Sequence, residues 1–202
     1  MDLTFPPGST GCSVNDGIPQ DTYLGEYYKL RLLGIDRLVE FILEKGRHRL
    51  VLKKDLLRAY RQYPIDPKDY HLLGFRYQGK FYFATRCPFG LRSSAMICQR
   101  TAKAVVHIFN KQEFSADVYL HDFYRAEYPP LTASAFSQLS LLFHQLGLDS
   151  ATDKDSPPST SIICLGISVD TVAFILEVPT TRLTDLQAEL TTWQAASFFT
   201  KK

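Results

Sequence analysis

Apolar positions recur along this chain at two spacings, and the two sort it into helices and strands. Residues 36–45 put Leu38, Val39, Ile42 and Leu43 on one helical face, with Asp36 as the expected cap and Gly46 as the stop. Residues 92–112 are the longest helical run, with Ile97, Ala104, Val105, Ile108 and Phe109 along one side. Residues 132–146 repeat the pattern through Phe136, Leu139, Leu142, Phe143 and Leu146, ahead of Gly147. Residues 181–195 carry Leu183, Leu186, Leu190 and Trp193 at the same spacing. Between these stretches the period shortens. Residues 49–55 read as a strand, and residues 74–84 alternate around Gln78-Gly79-Lys80 as a hairpin. Residues 116–126 read as a second hairpin with His121-Asp122 at its turn, and residues 161–170 with 172–178 as a third. Residues 1–29 are rich in Gly, Pro, Ser and Asp and read as loop. The order predicts an α+β fold, an antiparallel sheet with helices on one face.

Composition narrows the class without naming it. The 202 residues suffice for one large domain or two small ones, and 45% hydrophobic content is ordinary for a globular protein. A net charge of +2 announces no basic bulk for nucleic acid, which leaves a local groove open. Cys12, Cys87, Cys98 and Cys164 are widely spaced, with no Cys-x-x-Cys pair. They read as reduced thiols of an intracellular protein, in cytoplasm or nucleus, and not as a disulfide frame or zinc site. Pro6-Pro7-Gly8 interrupts the opening too early for a signal peptide, and no apolar run is long enough to cross a bilayer. Neither secretion nor a membrane partner is expected.

The chemistry concentrates at two short acidic sites. Val51-Leu52-Lys53-Lys54-Asp55 is an apolar run ending on a carboxylate, and Tyr119-Leu120-His121-Asp122-Phe123 turns at an acidic position and runs on. Two strands that each present a carboxylate at one edge can hold divalent metals, as in-line phosphoryl transfer requires. Taken alone, Asp55 reads equally well as a helix cap before Leu56-Leu57.

These sites and their neighbours resemble reverse transcriptases. Tyr119-Leu120-His121-Asp122 resembles the Tyr-x-Asp-Asp signature with its first aspartate lost. Asp55-Leu56-Leu57-Arg58-Ala59-Tyr60 is similar to the first catalytic motif, and Pro88-Phe89-Gly90-Leu91-Arg92-Ser93-Ser94-Ala95 to the Pro-Phe-Gly-Leu-(Lys/Arg)-x-(Ser/Ala) motif. Leu165-Gly166 falls where the family carries Phe-Leu-Gly, and Lys154 where a basic residue is expected. The likeness runs from about Asp2 to about Trp193. The wording of Phe5-Pro6-Pro7-Gly8-Ser9 and Ser13-Val14-Asn15-Asp16-Gly17-Ile18-Pro19 is most similar to retrotransposons that encode a tyrosine recombinase (DIRS-like) or to related LTR-type elements.

The resemblance implies a polymerase palm with part of the fingers. Residues 1–48 would be a partial fingers segment and 49–178 the palm, with a fingers hairpin inserted at about 70–86. Residues 179–202 would open the thumb or connection. It also implies RNA or DNA template-primer and dNTPs as partners, and a two-metal Mg2+ site, with Mn2+ as a substitute. Asp55 and Asp122 are then the metal-binding catalytic carboxylates, and Lys154 a proton donor to pyrophosphate. Tyr60 is a gate under the sugar. Phe89 and Gly90 lie against the template–nucleotide pair, with Arg92 on a phosphate. The residues themselves leave alternatives: Tyr60 as core, Lys154 as a loop lysine, Arg92, Arg100 and Lys103 as a solvated face.

His121 departs from the pattern. It removes a negative charge and two hard oxygen ligands, and offers one nitrogen that magnesium accepts poorly. Asp117, four residues earlier on a strand, lies roughly 13 Å away and cannot substitute; Glu127 is farther. Cys87 stands where leucine is usual, and Cys164 replaces the aromatic of Phe-Leu-Gly. The chain is expected to begin inside the fingers and to stop before most of a thumb, as a decayed fragment of a retroelement reading frame would. Three readings follow: an impaired reverse-transcriptase palm, a non-catalytic nucleic-acid-binding or structural protein on the same fold, or a product that does not fold stably.

Overall fold

A computed structural model of the chain describes Leu3, residues 12–23 and residues 25–195. The Phe5-Pro6-Pro7-Gly8-Ser9 stretch and Lys201-Lys202 lie outside the described residues. A short hairpin of β1 (Thr22–Tyr23) and β2 (Glu26–Tyr27) precedes α1 (Ile35–Lys45) and β3 (Leu50–Asp55). Two 3-10 stretches, Ala59–Gln62 and Pro67–Leu73, lead into the β4 (Gly74–Tyr77) and β5 (Lys80–Phe83) hairpin. Then come α2 (Arg92–Lys111), β6 (Asp117–Tyr119), β7 (Asp122–Glu127) and α3 (Pro129–Gln145). The chain closes with β8 (Ser156–Ser159), β9 (Ser161–Cys164), β10 (Ile167–Asp170), β11 (Ile175–Glu177) and α4 (Thr180–Ala195).

The central sheet has the order β6-β7-β3-β8, with β3 antiparallel to both neighbours. Side chains alternate across it. Leu52 and Phe123 turn to one face, where Ala102, Val105 and Phe109 of α2 and Ala135, Leu139 and Phe143 of α3 close the main core. Val51, Tyr124 and Ala126 turn to the other, where Leu38, Phe41 and Ile42 of α1 meet Ile162, Cys164 and Val169 of the β9–β10 hairpin. The α+β fold predicted from periodicity is the fold observed. Two helices back one face, while α1 and the β9–β10 hairpin pack on the other around Val51, Tyr124 and Ala126. At the Asp55–Asp122 end of that face Asp55 is buried, and His121 and Asp122 are half-buried.

Several local expectations are corrected. Gly34, not Asp36, caps α1, and Phe41 is buried where Leu43 is 62% exposed. The buried side of α2 runs through Ser94, Cys98, Gln99, Ala102, Val105, Val106 and Phe109; Ala104 and Ile108 face outward. A 3.6-residue count tolerates small and polar side chains on the core face, and an apolar-only count passed over them. Leu146 is likewise exposed beyond α3. Residues 161–177 form a three-stranded meander, because Leu165 and Gly166 both take positive φ and turn the chain tightly there. Leu183, Leu186, Leu190 and Trp193 of α4 are exposed. Among the described residues, no helix is long and apolar enough to cross a membrane.

Buried charge pins the loop after α3 to the sheet. Lys54 faces the main core at 2% exposure. Its ammonium pairs with Asp155, and it lies 4.2 Å from the centroid of the Phe136 ring. Asp155 also accepts from the Asp55 backbone N–H at 3.3 Å, and Ala151 N–H donates to the Asp55 carbonyl at 2.8 Å. Removing one partner of a buried pair strands the other charge. Asp155→Ala is therefore expected to cost about 3–5 kcal/mol in chemical denaturation, and adding Lys54→Met is expected to recover most of it. An equal loss in the single and double variants would show that the pair does not anchor the loop.

Candidate metal centre

The β3–β7 register sets the site. Asp55 is paired directly with Asp122, Lys53 with Tyr124 and Val51 with Ala126. All six side chains therefore point to the face that α1 only half covers. Like charges directly opposite each other across a strand pair destabilise it, so the surroundings must hold them there. The turn joining β6 to β7 is Leu120-His121, because Tyr119 pairs with Asp122. The expected turn at His121-Asp122 is thus shifted by one residue, and Asp122 opens β7. Leu120 sits at φ 55°, a region costing a non-glycine residue about 1–2 kcal/mol. Gln99 holds the strained turn from α2: its buried amide accepts from Leu120 N–H at 2.6 Å and donates to Val118 at 3.2 Å. From the other side, Leu56 N–H donates to the His121 carbonyl.

One ligand atom from each of Asp55, His121 and Asp122 lies within 4.8 Å of the other two. His121 Nε2 is 3.8 Å from Asp55 Oδ1. Asp55 is 4% exposed, and its Oδ1, like His121 Nδ1, is buried with no hydrogen-bond partner among the described residues. A buried carboxylate oxygen left without a donor is costly, and a bound cation satisfies it. The donors therefore fit one divalent cation, with a side open to solvent for a further ligand. Lys53 answers part of the charge, its ammonium 3.6 Å from Asp122 Oδ1. Burial pushes the Asp55 carboxyl above its ordinary range, with Asp122 adding to the rise; His121, Lys154 and Lys53 pull it back.

The motifs assemble as follows. Asp55 ends a strand, and no α-helix follows it, which overturns its reading as a helix cap. Lys154 is exposed on the loop that Asp155 pins, close enough for its charge to act on Asp55. The Tyr60 ring meets Phe89 edge-on at 5.0 Å between centroids, and Gly90 beside it takes φ 86°. Asn15 bridges that loop, donating to the Gly90 carbonyl and accepting from Arg92 N–H. The Arg92 guanidinium turns away to the Ile18 carbonyl at 2.8 Å, so it ties down the N-terminal segment. Arg100 lies over the Tyr23 and Tyr28 rings and Lys103 pairs with Asp117, which occupies both cations structurally. Asp117 and Glu127 belong to ion pairs away from the metal group. Cys164 is buried, and burial pushes its thiol up to about 12, which leaves it inert packing.

Sequence reasoning missed Lys53, Gln99, Asn15, Arg61 and Arg86. Lys53 was signalled by lying two residues before Asp55, on the same strand face. Gln99 and Asn15 had no signal, because each acts across a distant backbone. Arg61 and Arg86 line a cavity of about 500 Å³ with Phe75, Phe83, Pro88 and Phe89, next to the Tyr60–Phe89 contact.

No family model matches the chain. The Pro-Pol polyprotein of simian foamy virus type 1 is 35% identical over 80 residues, which are 39% of this chain and 7% of that protein. A foamy viral protease-reverse transcriptase in complex with double-stranded DNA superimposes with TM-score 0.66 and 15% identity, over 94% of this chain and 29% of that one. A second, in complex with an RNA/DNA hybrid, gives TM-score 0.60 and 20% identity, over 72% of this chain and 19% of that one. The chain thus spans a small part of each of these proteins, and its fold is reverse-transcriptase-like.

The raised Asp55 carboxyl carries a sign. The folded chain holds that proton more tightly than the unfolded chain does. The resulting stability is present below about pH 4 and is lost as pH rises through the folded-state value. Asp55→Asn removes that loss. In metal-free buffer it is expected to raise the melting temperature by a few degrees at neutral pH, with the gain shrinking toward acid. A variant equal to or less stable than the parent at pH 7 would contradict the burial and repulsion assigned to Asp55.

Proposed function

We propose that this chain is a reverse-transcriptase palm of retroelement origin, built for RNA-directed DNA synthesis and catalytically impaired by His121. The observation that carries the reading is Asp55 opposite Asp122 where β3 ends and β7 begins, with a buried, unpartnered oxygen 3.8 Å from His121 Nε2. The foamy viral likenesses support the class, and the DIRS-like or LTR-type parent stays part of the proposal. So does the division into a partial fingers segment at 1–48, a palm at 49–178 and a thumb or connection start at 179–202. An intracellular location follows from the same origin.

The proposed partners are template-primer and dNTPs. Residues 56–92 hold seven of the chain's 23 Lys and Arg but only two of its 21 Asp and Glu. A net charge near neutral thus conceals a basic stretch, and nucleic acid binds through such local charge. Arg61 and Arg86 beside Phe75, Phe83 and Phe89 offer both charge and stacking faces. Tyr60 would lie under the sugar, and the Gly90 backbone against the base pair.

Asp55 and Asp122 would hold the divalent ions, magnesium or in its place manganese. Bound there, such ions neutralise phosphate charge and activate the 3′ hydroxyl. Lys154 stands on the Asp55 side of the cleft as proton donor to the leaving pyrophosphate. His121 withholds the third carboxylate, so a second ion would find fewer hard ligands, and the rate falls. The second reading is a nucleic-acid-binding protein that keeps the fold without turnover, favoured by the same His121.

Primer extension on an RNA template, in Mg2+ and then Mn2+, tests the proposal. The unaltered chain is expected to extend weakly or not at all, with Mn2+ better than Mg2+. His121→Asp is expected to restore part of the activity. Full restoration would show that position 121 is the whole impairment. Template binding without extension in both proteins would select the second reading.

A further inference from the structure

The imidazole at position 121 does more than subtract a ligand, because it brings a donor of another kind. We propose that Asp55, His121 and Asp122 form a mononuclear site for a borderline transition-metal dication of the zinc or cobalt class, and that this site rejects magnesium. The inference rests on the reading of Asp55 and Asp122 as the ion-facing carboxylates. It departs from that reading in the number and kind of ion held.

Three observations carry it. The first is the donor set, two carboxylates and one imidazole, with one ligand atom from each within 4.8 Å of the others. Magnesium takes hard oxygen in octahedral array and keeps its water, whereas zinc and cobalt take mixed nitrogen and oxygen donors readily. The second is Asp55 Oδ1, buried in a residue 4% exposed and without a hydrogen-bond donor. Ligand atoms around a tetrahedral zinc stand roughly 3.3 Å apart. The 3.8 Å from that oxygen to His121 Nε2 closes to this with a few tenths of an ångström of side-chain movement. The third is access. His121 is 35% exposed and Asp122 19% by side chain, so three protein ligands face an open fourth position, as in catalytic zinc sites.

Lys53 is the resident competitor. Its ammonium, 3.6 Å from Asp122 Oδ1, occupies part of the charge that an entering ion needs. Lys53→Met should therefore strengthen binding of every dication without changing the order among them. His121 alone sets the order.

The experiment is a Co2+ titration of the full chain followed by its visible absorption, then displacement with Zn2+ and with Mg2+. One Co2+ is expected to bind per chain, displaced by Zn2+ and not by a hundredfold excess of Mg2+. His121→Ala is expected to weaken Co2+ at least roughly tenfold, and Asp55→Asn likewise, each with unchanged circular dichroism. His121→Asp is expected to gain Mg2+ competition. Unchanged Co2+ binding in His121→Ala, or Mg2+ matching Zn2+ in the parent, overturns the inference. Primer extension by His121→Asp in Mg2+ separates it from the broader reading. Extension with no Co2+ bound by the parent sinks the inference and keeps the polymerase reading. Histidine-dependent Co2+ binding with no extension by any variant does the reverse.

Discussion

The register of β3 against β7 is the constraint on which the rest depends. It places Asp55 opposite Asp122 on one face of a sheet whose other face is sealed by α2 and α3. A slip of β3 by one residue would send Asp55 into that core and expose Leu52, while Asp122 and Phe123 kept their faces. Apolar burial on the sealed face therefore holds together two charges that repel. The repulsion is local, and the burial is spread over a dozen side chains.

What the register brings together, polar groups from distant segments keep in place. Asp155 reaches back to Lys54 and to the Asp55 backbone, and so carries the loop with Lys154 to the end of the strand. Gln99 extends its amide from α2 into the β6–β7 turn, as a further strand would. Asn15 does the same for the loop at Gly90. In each case a side chain supplies the hydrogen bonds that a neighbouring backbone would otherwise provide. The cleft is framed by buried polar residues whose mates are far away in sequence.

This explains how much of the molecule was legible in the sequence. The elements could be read because periodicity is local: β3, the β4–β5 hairpin and α1 to α4 all fall close to where their patterns put them. Asp55 and Asp122 could be found because each ends or opens an apolar run. The faces of α1 and α2 were harder, since Gln99 and Ser94 are buried while Ile108 is not. Polar residues enter a core only where a distant partner waits, and one sequence does not show the partner. The same limit hid the roles of Arg92, Arg100 and Lys103, whose partners lie on other segments. The turn at Leu120-His121 was misplaced by one residue because leucine gives no warning that it will adopt a positive φ.

The imidazole at the hairpin tip also bears on how much charge the fold must carry. A third carboxylate at position 121 would crowd three negative groups into a space one ion can span, and the folded chain would bear that repulsion whenever no ion was bound. An imidazole adds no negative charge there. The β3–β7 register is thus opposed by less like charge than three carboxylates would set against it, and the fold keeps that ease whether or not an ion is bound.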